Sequence, residues 1–204
     1  MALKNKYDVV IVGAGPAGIF TALEIVQNSS LTVLVIEKGK DIEKRGCPME
    51  QIKKCLQCPI CDILSGWGGA GAFSDGKLNL SPQIGGFLDK YIDRDKLVEL
   101  IDYVDKIYLR YGAPDKLYEP DSQIVEKIKA QAAKNGLLFI PSRIRHIGTE
   151  RCAHVLKSLK DDLSKKIDIL FDVSVEKIIV NKGRVSGAEL SDKRKIYGKY
   201  IVIA

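Results

Sequence analysis

Three glycines near the start of the chain have the spacing of a turn that binds phosphate. Gly13, Gly15 and Gly18 follow a short apolar run at residues 7–12, which is typical of a buried strand. In the G-x-G-x-x-G pattern the first glycine allows a tight turn, the second lets the main chain approach a pyrophosphate, and the third lets the next helix pack closely on the sheet. The N–H groups that begin this helix attract the anion. The predicted diphosphate-binding residues are Gly13, Ala14, Gly15, Pro16, Ala17 and Gly18.

An acidic residue stands at the end of the second predicted strand, Leu31–Ile36. Glu37 follows the last glycine of the turn by about 20 residues, the distance at which dinucleotide-binding units place a carboxylate that accepts hydrogen bonds from the adenosine ribose. We expect Glu37 to contact that ribose, and its negative charge disfavours a 2′-phosphate. Lys38, beside it, is a further predicted cofactor-binding residue. The motif alone does not distinguish FAD from NAD.

A second segment rich in glycine, Ser65–Leu78, reads S-G-W-G-G-A-G-A-F-S-D-G-K-L. A main chain with so few bulky side chains can fold tightly against a flat or charged ligand and offer several N–H donors to it. The competing interpretation is a flexible loop. Trp67 and Phe73 argue against a mere linker, although either side chain can simply anchor the loop in the core.

Four of the five cysteines form the pattern C-x7-C-x2-C-x2-C and are candidate metal ligands: Cys47, Cys55, Cys58 and Cys61. Two-residue spacing lets successive thiolates converge on one zinc ion or one iron–sulfur cluster. The spacing leaves four interpretations open, namely a structural zinc, a [4Fe–4S] cluster, a redox-active dithiol, or cysteines without a ligand. The fifth cysteine, Cys152, lies on the apolar face of a predicted helix and is expected in the core.

The overall composition is that of an ordinary globular protein, with 204 residues, 46% hydrophobic and 28% charged. These values exclude a disordered, collagen-like or coiled-coil chain. The net charge of +6 is spread along the chain among interleaved acidic residues, so we do not expect a nucleic-acid partner. No apolar run approaches the roughly 20 residues of a membrane-spanning helix and no targeting segment is recognisable, so we expect a cytoplasmic protein without a membrane partner.

Hydrophobic periodicity and turn residues predict alternating strands and helices. The predicted helices begin near Gly15 and then cover Asp95–Tyr111, Asp121–Lys134 and about Thr149–Lys165. The strands after the first two are predicted at Leu137–Ile140, Ile167–Phe171, Val175–Val180, Arg184–Leu190 and Lys199–Ala204, with a hairpin turn at residues 181–183. The first strand, helix and second strand form a βαβ unit, so the predicted class is α/β with a parallel sheet. Because the chain stops at its most apolar strand, we expect a truncated protein.

Together these motifs resemble an uncharacterised bacterial and archaeal family of FAD-dependent dehydrogenases in the glutathione-reductase-like flavoprotein superfamily. The resemblance rests on the initial V-I-V-G-A-G-P-A-G, on Cys-Pro followed by the spaced cysteines, on Ser65–Leu78 as its most specific part, and on His146–Thr149. It covers essentially the whole chain. Members of the family continue beyond the last strand here into a substrate domain and a second flavin-binding segment.

This resemblance implies roles for several residues. The glycines of the first motif would hold the FAD pyrophosphate, with Glu37 on the ribose. Gly68, Gly69 and Ala70 would lie near the pyrophosphate or the flavin. Val175 would contact the adenine through its main chain, the alternative being an ordinary strand valine.

The implied organisation is a Rossmann-like FAD-binding domain with a parallel sheet, a β-meander and an inserted helical and cysteine-rich region. Residues 1–40 are expected to form the FAD-binding βαβ unit, 41–64 a cysteine-rich insertion, 65–85 a glycine-rich loop on the flavin side, 86–166 a mainly helical segment, and 167–204 the return strands and β-meander, which end within the domain. The missing C-terminal half of the same protein is then an expected partner.

The expected function is that of the N-terminal part of an FAD-dependent oxidoreductase, which transfers hydride or electrons through its flavin to or from a small-molecule substrate or an electron carrier. NAD(P)H is a candidate electron donor, and zinc or a [4Fe–4S] cluster is a candidate second cofactor. Two other hypotheses stay open: a non-catalytic nucleotide-binding half of a split protein, and an FAD-dependent RNA-modifying enzyme, motivated by the positive charge. No catalytic residue is assigned, because neither His146 nor His154 is paired in the sequence with a Ser, Cys or acid.

Overall fold

The chain folds into two compact units in the computed structural model, which describes residues 3–204 apart from the side chain of Glu50. One unit combines the residues up to Phe73 with Leu156–Ala204, and the other is Ser74–Val155. The strands of the described residues are β1 (Lys6–Val12), β2 (Val33–Ile36), β3 (Lys77–Asn79), β4 (Leu117–Tyr118), β5 (Ile144–His146), β6 (Asp168–Leu170), β7 (Val175–Asn181), β8 (Arg184–Leu190) and β9 (Lys195–Ile203). The α-helices are α1 (Pro16–Asn28), α2 (Met49–Ile52), α3 (Arg94–Arg110), α4 (Ser122–Lys134) and α5 (Thr149–Leu163). Among the described residues, no helix is both long and apolar enough to cross a membrane.

The first unit is built on a six-stranded sheet with the strand order β6-β2-β1-β9-β8-β7. β1 pairs in parallel with both β2 and β9, and β2 pairs in parallel with β6. β8 runs antiparallel to both β9 and β7. The predicted α/β class with a largely parallel sheet is therefore confirmed. The meander β7–β9 is continuous with the parallel strands, because its last strand lies beside β1.

The central strands of this sheet are buried, which explains why they could be predicted from the sequence. Val10, Ile11 and Leu34 are fully excluded from solvent. A strand that is covered on both faces reads as a continuous apolar run, as residues 7–12 do. Helix α1 directs four residues into the core: Gly18, Ile19, Ala22 and Leu23.

The predicted hairpin turn at residues 181–183 is present, and the loop between β7 and β8 has two residues. Lys182 and Gly183 have φ angles of +49° and +76°. Positive φ at both central positions is typical of the type I′ turn, whose twist matches that of the flanking strands. The turn therefore fixes the register of this hairpin.

The second unit contains α3, α4 and a three-stranded antiparallel sheet with the order β3-β5-β4. The strand predicted at Leu137–Ile140 is wrong, because this stretch forms no strand. Leu137 and Leu138 are 67% and 86% exposed, so burial does not stabilise an extended segment there. The strand of this region is β5, which is short and carries the charged Arg145.

A buried ion pair connects β5 to α3 within the second unit. The guanidinium of Arg145 donates to both carboxylate oxygens of Asp105, at 2.5 and 2.7 Å, and to the main-chain oxygens of Pro114 and Asp115. The hydrogen bond to Asp105 raises the pKa of Arg145 above its ordinary value. Cys152, in the same unit, is 7% exposed, which confirms its predicted place in the core.

Candidate dinucleotide-binding site

A cavity of about 570 Å³ lies where β1, β2 and β9 end, and its lining includes Val12, Ile36 and Ile203. The carboxyl ends of parallel strands are where open α/β sheets bind their ligands. Six of the predicted cofactor-binding residues line this cavity: Gly13, Gly15, Glu37, Lys38, Gly69 and Val175. The structure thus brings both glycine segments, the acidic residue and the start of β7 to one site.

The three glycines of the first motif are required for different reasons. Gly13 has a φ of +106°, a conformation that side chains disfavour. A Cβ on Gly18 would overlap the carbonyl oxygen of Gly13, so the helix could not pack as it does. A Cβ on Gly15, by contrast, would meet no atom within 4 Å. Protein packing therefore does not require a glycine at position 15, and the space that it leaves open belongs to the cavity.

The amino end of α1 presents donors beside this open space. Within the described residues, no acceptor is bound by the main-chain N–H groups of Gly15, Ala17 or Gly18. The first turn of α1 holds no acidic side chain, so the positive end of the helix dipole is not neutralised there. Free amides, a helix dipole and an uncovered main chain suit a diphosphate. The residues at the amino end of α1 therefore fit the predicted diphosphate.

Glu37 has a role that the motif did not predict. The residue is 6% exposed, and its Oε2 accepts a hydrogen bond from the N–H of Ala14 at 2.8 Å. Its Oε1 accepts from the N–H groups of Gly39 and Gly66, at 2.8 and 2.9 Å. A carboxylate offers about four lone-pair positions, so three are already occupied by the protein. Glu37 ties the first glycine turn, the end of β2 and the second glycine segment together, and it keeps capacity for about one further donor.

The second glycine segment is anchored and is not a flexible loop. Trp67 is fully buried, and its indole N–H donates to the carbonyl oxygen of Leu156 at 2.8 Å. Its ring meets that of Phe171 edge to face, with 6.2 Å between the ring centroids. Trp67 therefore anchors this segment in the core, which is one of the interpretations that the sequence leaves open. Phe73, by comparison, is 36% exposed.

The structure places Gly68 and Ala70 outside the lining of the cavity. The N–H of Gly68 donates to the carbonyl oxygen of Ala14 at 2.8 Å, so this amide is not available to a ligand. Ala70 is exposed and is absent from the cavity lining, and only Gly69 of these three residues lines the cavity. Gly68 thus holds one glycine segment against the other, an arrangement that spacing alone could not indicate.

Arg45 is a buried residue of this region that sequence reasoning missed. Its guanidinium donates to the main-chain oxygens of Asp62, Ile63 and Trp67, at 2.8, 2.9 and 2.7 Å. It also lies over the ring of Phe73, 4.8 Å from the centroid. Burial lowers the pKa of Arg45, which the negative charge of Glu37 partly offsets. A single arginine in a predicted loop carries no periodic signal, so the pattern gave no reason to select it.

The four candidate metal ligands are not gathered into a metal site. All are free thiols, and Cys55 and Cys58 are exposed while Cys47 and Cys61 are half-buried. Across the described part of the chain, no three His, Cys, Asp or Glu side chains are placed to hold a metal ion. Two of the cysteines, Cys58 and Cys61, line the cavity instead.

Comparison with known proteins supports the oxidoreductase interpretation for the start of the chain. Residues 7–60 match the family described as "Pyridine nucleotide-disulphide oxidoreductase". These residues include all but the first residue of β1, the whole of α1 and β2, the first glycine motif and Glu37. No curated protein matches the chain significantly.

Solved structures of similar fold include two enzymes of oxidation chemistry and one further complex. A 3-ketosteroid-Δ4-(5α)-dehydrogenase from Rhodococcus jostii RHA1 has a TM-score of 0.58 at 18% identity, over 100% of this chain and 46% of that one. The Mycobacterium smegmatis Sdh1 complex has a TM-score of 0.55 at 18% identity, and the match covers 98% of this chain and 34% of that one. A glycine oxidase from Geobacillus kaustophilus has a TM-score of 0.50 at 14% identity, and the match covers 98% of this chain and 55% of that one. These likenesses establish the fold. The chain spans 34% to 55% of the length of these three proteins.

Proposed function

We propose that this chain is the FAD-binding N-terminal part of an oxidoreductase. The observation that carries the proposal is the open space at Gly15, which lies beside the main-chain amides that begin α1, in a cavity at the ends of parallel strands. The family match over residues 7–60 and the fold shared with a dehydrogenase and an oxidase support it. The FAD-dependent dehydrogenase family that the motifs resemble is the finer form of the same proposal.

Different residues of the chain would bind different parts of the nucleotide. The N–H groups of Gly15, Ala17 and Gly18 would hold the diphosphate, and Glu37 would accept about one ribose hydroxyl at its remaining lone-pair position. Lys38 and Val175 would border the adenosine. When bound, the flavin supplies the redox chemistry, because it accepts a hydride and can release electrons singly.

Other parts of the proposal concern the whole protein. Its substrate would be a small molecule or an electron carrier, NAD(P)H is a candidate electron donor, and a C-terminal half would complete the enzyme. The spacing of Cys47, Cys55, Cys58 and Cys61 keeps zinc or a [4Fe–4S] cluster as a candidate. Analysis of zinc, iron and sulfide in anaerobically prepared protein tests the metal proposal directly.

Ligand titration tests the binding proposal. The chain is titrated with FAD, with ADP and with FMN, and heat release or flavin fluorescence is followed. We expect FAD and ADP to compete for one site and FMN to bind much more weakly, because the proposed contacts are to the diphosphate and adenosine. A folded chain that binds neither FAD nor ADP contradicts the proposal.

A further inference from the structure

The cysteine-rich segment contributes a wall to the nucleotide cavity. Cys58, Pro59, Cys61 and Leu64 line this cavity. Cys47 and Cys55, the other two members of the same cysteine pattern, are absent from its lining. The four cysteines therefore differ in position relative to the site, although their spacing suggests one common ligand.

The cavity-lining cysteines lie at the Glu37 end of the cavity. The N–H of Ser65 donates to the carbonyl oxygen of Cys61 at 2.8 Å, and the N–H of the next residue, Gly66, donates to Oε1 of Glu37 at 2.9 Å. Cys58 comes three residues before Cys61 and lines the same cavity as Glu37.

Cys61 shares the same surroundings. The guanidinium of Arg45 donates to the main-chain oxygen of Asp62, the residue after Cys61, at 2.8 Å, and the charge of Glu37 partly offsets the lowering of the pKa of Arg45 by burial. The carboxylate at the end of the second strand is the group that faces the adenosine ribose in dinucleotide-binding folds. Both thiols are thus placed on the adenosine side of the site.

The wall is held in place by several bonds. The amine of Lys40 pairs with the carboxylate of Asp62 at 2.7 Å, and the guanidinium of Arg45 binds the main-chain oxygens of Asp62 and Ile63. The N–H groups of Leu64 and Ser65 donate to the carbonyl oxygen of Cys61, at 3.0 and 2.8 Å. This segment is therefore a formed part of the site.

We propose that the turn from Cys58 to Leu64 is the adenosine-side wall of the nucleotide site, with the thiols of Cys58 and Cys61 in contact with bound nucleotide. Pro59 and Leu64 supply apolar surface at the end of the cavity that Val173 and Val175 also line, which suits a flat adenine ring. The proposal rests on the proposed nucleotide binding. It concerns only Cys58 and Cys61, the two cysteines of the pattern that line the cavity.

Thiol alkylation with and without nucleotide tests this wall, and the chain supplies its own controls. The exposed Cys55 is matched to the exposed Cys58, and the half-buried Cys47 is matched to the half-buried Cys61. The protein is treated with iodoacetamide in the absence and in the presence of saturating ADP, and the alkylation of each cysteine is followed by peptide mass spectrometry. Because a pocket covers most of the surface of its ligand, we expect ADP to slow alkylation of Cys58 and Cys61 about tenfold. The rates at Cys47 and Cys55 should stay unchanged.

Two outcomes would overturn the inference, and a separate titration with ADP distinguishes them. If ADP binds but all four cysteines keep their rates, or all four slow equally, the wall is not where we place it and the proposed function survives. If folded protein binds neither ADP nor FAD, both proposals fail together.

A pair of variants gives an independent measurement. Leu64 is 62% exposed and lines the cavity, whereas Leu56 is 58% exposed, precedes the turn and does not line the cavity. Leu64→Asp places a negative charge against an anionic ligand, so we expect ADP affinity to fall about tenfold. Leu56→Asp should leave the affinity unchanged. Equal affinities in both variants would contradict the proposal.

Discussion

Glu37 illustrates how one residue can serve both the fold and the site. The motif places an acid at the end of β2 and assigns it to a ribose. In the structure its carboxylate also accepts N–H groups from Ala14, Gly39 and Gly66, so it joins three separate segments around the cavity. Sequence position could predict that an acid is needed here. It could not predict which amides would converge on it, because all three lie outside the helices and strands, in segments without periodic structure.

Gly15 gives the sharpest prediction at the scale of single residues. Its φ of −73° suits any residue, and an added Cβ would meet nothing within 4 Å, so Gly15→Ala should fold with its stability lowered by less than about 1 kcal/mol. The added methyl group would stand in the space proposed for the diphosphate. We therefore expect affinity for ADP and FAD to fall at least about tenfold, measured by calorimetric titration.

Two further glycines serve as comparisons for this variant. Gly46 is exposed, and a methyl group added there would likewise meet no atom within 4 Å, but Gly46 does not line the cavity, so Gly46→Ala should bind ADP normally. Gly18→Ala should unfold more easily, because its Cβ would overlap the carbonyl oxygen of Gly13. Normal ADP binding by Gly15→Ala would show that the diphosphate does not approach this main chain.

At the scale of elements, the sequence predicts the strands and helices that depend on burial and local turns. It does not predict the strands that form only because they pair with distant parts of the chain. β1, β2 and α1 were predictable because their apolar residues recur with the period of a covered strand or a helix face. β3 and β4 have three and two residues, and they exist because they pair with β5. Such short strands have no pattern of their own. The hydrogen bond from the N–H of Gly68 to Ala14 is unpredictable for a similar reason, because it joins residues far apart in the sequence.

A charge cluster links α5 to the short turn that follows β2, and it makes stability depend on pH. Lys160 is 8% exposed, and its amine binds both carboxylate oxygens of Asp41 and one of Glu43, each at 2.9 Å. Hydrogen bonds from Lys157 and Lys160 lower the pKa of Glu43 from 4.5 to about 2. As the pH falls below about 4.5, the unfolded chain takes up this proton before the folded chain does. The contribution of Glu43 is therefore complete at neutral pH and is lost as the pH falls toward 2.

Glu43→Gln tests this dependence. The variant should be less stable than the parent protein at pH 7, and the difference should shrink between pH 5 and pH 3, because the parent alone loses the ionic contribution. Urea unfolding at several pH values measures both effects. Glu119→Gln, at an exposed carboxylate of the other unit, controls for the loss of one negative charge. Parallel stability curves for Glu43→Gln and the parent would rule out the proposed linkage.

At the scale of the whole molecule, the candidate site belongs to one of the two units. Every residue that lines the cavity lies either before Phe73 or after Leu156, and the second unit, Ser74–Val155, contributes none of the lining. The second unit contains the buried ion pair between Arg145 and Asp105, whose side chains are 5% and 13% exposed. Nucleotide binding and the stability of the second unit should therefore be separable.

Asp105→Asn is the variant that separates them. It leaves the guanidinium of Arg145 buried without its negative partner, and breaking such a pair costs about 3–5 kcal/mol. Hydrogen exchange should then accelerate in α3 and β5, which the pair connects, while ADP affinity measured under folding conditions stays within about twofold of the parent, because the cavity lining is intact. Arg143 and Asp102 form a more exposed ion pair in the same unit, at 3.0 Å, and Asp102→Asn should cost no more than about 1 kcal/mol. A loss of ADP affinity in Asp105→Asn that matches its loss of stability would mean that the second unit also shapes the nucleotide site.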